Sequence, residues 1–172
     1  MLNTITNYSD RIALGKQQEA FIIDFLKSKG YNIELPTSHE DMRDKIDGWI
    51  LPKSGGKVSF QLKFREGNKT DIIFELIKDW DKNIEGRDLI SKAQLYVMVD
   101  ANGVINIYKV SDIKAKAKEL LALADVNPVD QRGKGWEIKF RNDSAHGQLK
   151  LMAFFDPLFF PSIITHRIPN YN

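Results

Sequence analysis

Between residues 58 and 65 the chain reads VSFQLKFR, an unbroken alternation of apolar Val58, Phe60, Leu62 and Phe64 with polar Ser59, Gln61, Lys63 and Arg65. Successive side chains of a strand point to opposite faces, so this stretch predicts a β-strand with one face in a core. The other face offers an amide oxygen and an ammonium two residues apart. A second apolar run, IDGWIL at residues 46–51, precedes it across Pro52 and the Gly55-Gly56 pair, which predicts two neighbouring strands joined by a turn. Asp47 stands inside that run, where aspartate is a poor strand former and needs a chemical reason.

Upstream, Ser9 and Asp10 suit the N-cap of a helix over residues 11–29, which Gly30 ends. The residues before it are expected to be loosely attached. Its apolar stripe is Ile12, Leu14, Phe21, Ile22, Phe25 and Leu26. Glu19, seven residues after Ile12 and three before Ile22, falls on or beside that stripe. A bare buried carboxylate is costly, so Glu19 either reaches water or a lysine at the edge of the stripe, or serves a site. Residues 31–35 predict a short strand, and TSHEDMRD a polar loop whose His39, Glu40, Asp41 and Asp44 are expected to be solvated, the alternative being extra metal or proton-transfer groups.

After the turn Glu66-Gly67-Asn68, residues 70–77 predict a third strand or a strand running into a helix. Residues 78–91 are polar and irregular; Asp71, Glu75 and Arg87 are conceivable site residues in or near them. The compact run at 94–99 suits a central strand covered on both faces, and a turn at 100–103 leads to a return strand over 104–110. Ser111 is expected to cap a helix over 112–124 with Ile113, Ala117, Leu120, Leu121 and Ala124 inward. Residues 125–135 read as a flexible loop, either a plain solvent loop with two cations or one in which Arg132, Gly133 and Lys134 let cations approach a phosphate. Residues 136–141 and 148–155 form a hairpin. The apolar tail PLFFPSIITHRIP is expected to fold back over a core, the alternatives being a partner patch or a wedge between bases.

At 172 residues one domain is expected, with a core over about 9–124 and a C-terminal hairpin and tail over 125–172. Lys plus Arg exceed Asp plus Glu only by 25 to 23, so any phosphate-binding surface must come from clustering, not from net charge. The absence of cysteine excludes disulfides, thiolate metal sites and a cysteine nucleophile. His39, His146 and His166 are too scattered for a zinc site. The N-terminus lacks the apolar core of a signal peptide and no run approaches membrane-spanning length, which predicts a cytoplasmic protein, or one intracellular in its host if viral.

Asp47 in one strand, followed by Gln61, Leu62 and Lys63 in the next, resembles the PD-(D/E)XK nuclease superfamily. The order helix, strand, strand with Asp47, strand with Gln61 and Lys63 is similar to that of the superfamily core. The resemblance implies an α/β (α+β) fold with a restriction-endonuclease-like core, a central mixed β-sheet flanked by helices. It implies a nuclease using Mg2+, with Mn2+ as substitute, on nucleic acid, DNA before RNA. Asp47, the Gln61 side-chain carbonyl, the Leu62 backbone carbonyl and Glu19 would be its metal ligands. Lys63 would act on the attacking water, and Glu19, Asp47, Gln61 and Lys63 would form the catalytic set. Arg65, Arg132 and Lys134 would contact nucleic acid, and a homodimer would serve cleavage of both strands. Ile46 stands in place of the name-giving proline, and Gln61 in place of the usual acid, which removes one negative charge. The alternative on the same fold is a non-catalytic protein that binds nucleic acid or a protein partner, as an inhibitor or assembly factor. The pattern also admits assembly through the tail, and a merely solvated strand face at 59–65.

Overall fold

The computed structural model describes residues 8–171, with side chains from residue 12 onward. In chain order the elements begin with α1 (Tyr8–Ser28), β1 (Ile33–Glu34), a π-helical turn (Glu40–Asp44), β2 (Gly48–Ile50), β3 (Val58–Phe64) and β4 (Ile72–Asp79). There follow β5 (Ile84–Glu85), α2 (Arg87–Ile90), β6 (Leu95–Val99), β7 (Val104–Lys109) and α3 (Val110–Val126). The chain ends with β8 (Gln131–Gly133), β9 (Trp136–Asp143), β10 (Gln148–Phe155) and β11 (Ile164–Arg167).

The fold is mixed α+β and is built on two sheets. One is mixed, in the order β1-β2-β3-β6-β7-β11, with β3 and β6 parallel and the other neighbours antiparallel. The other is antiparallel, in the order β5-β4-β10-β9-β8. β6 is the pivot, because its alternating side chains feed two cores. Val97 and Val99 join Phe60, Leu62, Ile22 and Leu26 beneath α1. Tyr96 and Met98 join Phe74, Leu151, Phe155 and the inner face of α3. The 94–99 run is therefore covered on both faces, as its unbroken apolarity predicts.

Several local expectations are corrected. α1 is already helical at Tyr8, so Ser9 and Asp10 lie inside it and do not cap it; the residues expected to be loose, 1–7, lie outside the described residues. Only the C-terminal half of its stripe docks. Ile22 and Leu26 are fully buried, whereas Ile12, Leu14 and Phe21 are exposed, no element among the described residues covering them. The 31–35 strand shrinks to Ile33–Glu34, and the expected loop before Lys45 contains the π-helical turn. The 70–77 run becomes β4 of the second sheet, not a strand of the first. α3 begins one residue before Ser111, with Lys109 at the N-cap and no side-chain cap bond. Part of the 125–135 loop is strand β8.

The hairpin is realised as β9 and β10, and β10 extends the second sheet by pairing with β4. The tail folds back, as expected. Phe155, Phe159 and Phe160 pack ring on ring at 5.0–5.7 Å, Phe160 is buried, and β11 adds an edge to the first sheet through β7. Among the described residues no helix is long and apolar enough to cross a membrane.

Candidate functional site

β2 and β3 separate at Asp47. The Asp47 N–H still donates to the Phe60 carbonyl at 2.9 Å, but Leu62 N–H donates to the Asp47 carboxylate Oδ2 at 2.7 Å. A strand residue presents its N–H and C=O to the same edge, so the Leu62 carbonyl faces this gap as well. The other oxygen of Asp47 accepts from Arg87 Nη2 at 3.3 Å. Only 7% of its side chain is exposed. Burial pushes the Asp47 carboxyl above its usual range, against the opposing pull of the Leu62 amide, Arg87 and Lys63.

Glu19 reaches the same gap from α1. Burial raises its carboxyl too, and Asp47 raises it further, while Arg87 and Lys16 oppose. Asp47 and Glu19 line one groove of about 390 Å³ together with Lys16, Thr37 and Asp41. Two adjacent carboxyls held partly toward their neutral forms are an arrangement that a cation would relieve.

Gln61 and Lys63 lie on the opposite face of β3 from α1, as the alternation predicts. That face is closed over, not open: Gln61 is fully buried and Ser59 is 2% exposed. The cover is α2, which seats on β4 along the part of its edge that β5 leaves unpaired. Gly86 N–H donates to the Leu76 carbonyl at 2.8 Å, and Glu75 N–H donates to Asp88 Oδ2 at 2.7 Å. The remaining oxygen of Asp88 accepts from Gln61 Nε2 at 2.8 Å and pairs with Lys63 Nζ at 2.9 Å. A carboxylate only accepts hydrogen bonds, so the Gln61 nitrogen must face it and Oε1 must face away. Oε1 is buried and has no hydrogen-bond partner.

That orphaned oxygen decides the fit of a metal. Asp47 and Glu19 bring two carboxylates to the groove and the Leu62 carbonyl faces the gap; together with Gln61 Oε1, which does not itself line the groove, they would make an all-oxygen set suited to a hard divalent cation. Among the described residues no three His, Asp or Glu side chains gather closely enough to hold an ion by themselves. Gln61 Oε1 and the Leu62 carbonyl are therefore needed to complete any such set.

The other expected contacts are more dispersed. Arg65 is bound to Asp71 through Nε at 2.8 Å and Nη2 at 2.6 Å, and its guanidinium lies 5.6 Å from the Phe154 ring. It borders a cleft of about 550 Å³ rimmed by Lys69, Lys139 and Arg141. Arg132, in β8, and Lys134, just after it, are exposed three strands across the second sheet from β4, about 14 Å at the usual interstrand spacing. The fold does not bring them to Asp47. Glu40 is spent on the Thr37 N–H and hydroxyl, at 2.7 and 2.9 Å, and Asp44 pairs with Lys92 at 2.7 Å.

Asp88 is the residue that sequence reasoning missed. Its only local signal is Gly86 ahead of an acidic first helical turn. A Cβ at Gly86 would overlap the Glu75 carbonyl, so the close seating of α2 on β4 depends on glycine there. Comparison with protein-family models, with curated proteins and with solved structures gives no match to this chain, so the functional reading rests on the geometry of these residues.

Proposed function

We propose that this chain is a metal-dependent nuclease of the PD-(D/E)XK kind, hydrolysing phosphodiester bonds of nucleic acid, DNA before RNA. The observation that carries the reading is the meeting of Asp47 with the QLK segment. The Asp47 carboxylate is bonded to the Leu62 amide and feels the Lys63 ammonium, while the buried Gln61 Oε1 has no donor. The element order supports it: α1, β1, β2 with Asp47 immediately before it, β3 with Gln61 and Lys63, then α2 and β6. The second sheet's β4 and β5 are inserted between β3 and α2.

Asp47, Glu19, Gln61 Oε1 and the Leu62 carbonyl would hold Mg2+, or Mn2+ in its place. Bound there, the ion supplies Lewis-acid polarisation of a phosphate oxygen and lowers the pKa of water. Lys63 orients the attacking water and offsets charge growing on the phosphate, with its ammonium held in place by Asp88. Arg65 lies two residues further along β3 on the same face, about 7 Å away, so the cationic cleft begins next to Lys63. Nucleic acid would run from the gap into this cleft. Arg132 and Lys134 suit a phosphate contact remote from the cleavage point, and a homodimer would present two gaps to a duplex.

The test incubates plasmid, branched and single-stranded DNA, and RNA, with Mg2+, Mn2+ or EDTA. Cleavage that needs the ion and falls about 100-fold or more in Lys63→Ala, with the circular dichroism spectrum unchanged, is the expected result. No cleavage of any substrate, with no ion uptake, overturns it. One observation favours a second reading, a non-catalytic binder on the same surface: Arg87 already holds Asp47 and Asp88 already holds Lys63. Nucleic-acid binding that is indifferent to EDTA, without cleavage, selects that reading.

A further inference from the structure

Position 61 carries a neutral amide where a site for a divalent cation gains most from a charge, yet a carboxylate is buried directly behind it. Asp88 is 1% exposed and Gln61 is fully buried. We infer that Asp88 supplies the negative charge that position 61 lacks, as a positioning residue that aims the Gln61 carbonyl oxygen into the gap beside Asp47 and fixes Lys63 next to it. This rests on the metal-site reading of the preceding subsection.

Three contacts argue for it. Asp88 Oδ1 takes the Gln61 amide nitrogen at 2.8 Å, and a hydrogen bond to an anion draws electron density toward the far, oxygen end of the amide. The same Oδ1 pairs with Lys63 Nζ at 2.9 Å, so one oxygen sets both side chains. Oδ2 is anchored by the Glu75 N–H of the other sheet, so the carboxylate cannot swing to present a different oxygen. A half turn of the Gln61 amide would set oxygen against oxygen, which locks Oε1 away from Asp88. A buried carbonyl oxygen without a donor is costly unless something electropositive meets it, and Oε1 has no donor. Around Asp88 stand Lys63 from β3, Arg87 beside it, Glu75 from β4, Tyr96 from β6 and Lys114 from α3, with Asp47 beyond Arg87.

The experiment is a cycle of Asp88→Asn, Gln61→Glu and the double variant in the full chain. Mn2+ affinity is read from the paramagnetic resonance of free ion, and thermal unfolding is followed in EDTA. Asp88→Asn keeps the shape of the side chain and is expected to weaken Mn2+ binding about 10–100-fold. The double variant returns the charge to position 61 and is expected to recover most of that loss. Gln61→Glu alone sets two carboxylates against each other in a buried position, and is expected to unfold at a lower temperature than wild type, with the loss relieved in the double variant. Mn2+ binding by Asp88→Asn as tight as wild type, or no recovery in the double variant, overturns the inference. Should Asp88→Asn not fold, Gln61→Glu decides, and an unfolding temperature at or above wild type overturns it. Wild-type protein that takes up no Mn2+ defeats the metal-site reading instead; the EDTA unfolding cycle then still judges the link between 61 and 88, which additive effects would refute.

Discussion

Asp47 gives one oxygen to the Leu62 amide and the other to Arg87, so removing its carboxyl and removing its charge are different perturbations. Asp47→Ala orphans a Leu62 N–H at a largely buried position and is expected to cost about 1–3 kcal/mol in urea unfolding. Asp47→Asn keeps an acceptor for that N–H and is expected to cost less than about 1 kcal/mol at neutral pH while abolishing Mn2+ uptake. The pH dependence has a definite sign. Asp47 and Glu19 are both raised by burial, so their contribution to stability is complete below the ordinary carboxylate range and is lost as pH rises through their raised values. Asp47→Asn is therefore expected to gain on wild type as pH rises above the ordinary carboxylate range, and a constant difference in urea midpoint would refute this. Asp143, held at about 2 by Lys150 and His146, acts in the opposite sense, its contribution being lost as pH falls toward that value. It is common to both proteins and leaves the comparison intact.

At the level of elements, α2 is the smallest helix and carries the most consequence. Its seat on β4 depends on Gly86, so Gly86→Ala is expected to cost about 1–3 kcal/mol and to weaken Mn2+ binding by withdrawing Asp88. Wild-type affinity in that variant would show that the seat does not matter. The tail is a structural element: Phe160 fills the second core, and Phe160→Ala is expected to cost about 3–5 kcal/mol in unfolding, whereas an unchanged stability with a change of solution mass would favour an assembly role. The elements most legible in the sequence were those with a clean period: β3, β6, the β9–β10 hairpin and the inner face of α3. The alternation that sets Gln61 and Lys63 on one face of β3 was legible too, as was the oddity of Asp47. What the sequence concealed was long-range. Nothing local tells residues 72–79 to pair with a strand some 75 residues later, since the apolar run is the same in either sheet. Asp88 was invisible for the same reason, because its partners are set by sheet packing and not by spacing.

For the whole molecule, the metal-site reading predicts that ion and fold stabilise each other. At about 100 times the dissociation constant, Mn2+ is expected to add about 2.7 kcal/mol, or roughly 5–10 °C in unfolding temperature for a chain of this size. Asp47→Asn is expected to show no such shift in the same scan, and an equal shift would place the ion elsewhere. The two sheets meet through the core between them, the connections of the chain, the Tyr96 hydroxyl on the Ile73 carbonyl, and the carboxylate of Asp88. That carboxylate sits on the connection between β3 and β6, the one parallel pair of described strands. Pairing them requires closing a long loop before any contact rewards it, a slow event in any chain. Asp88 rides on that loop, so its hold on Gln61 and Lys63 exists only once the loop has folded back over β3, and a half-folded chain lacks it.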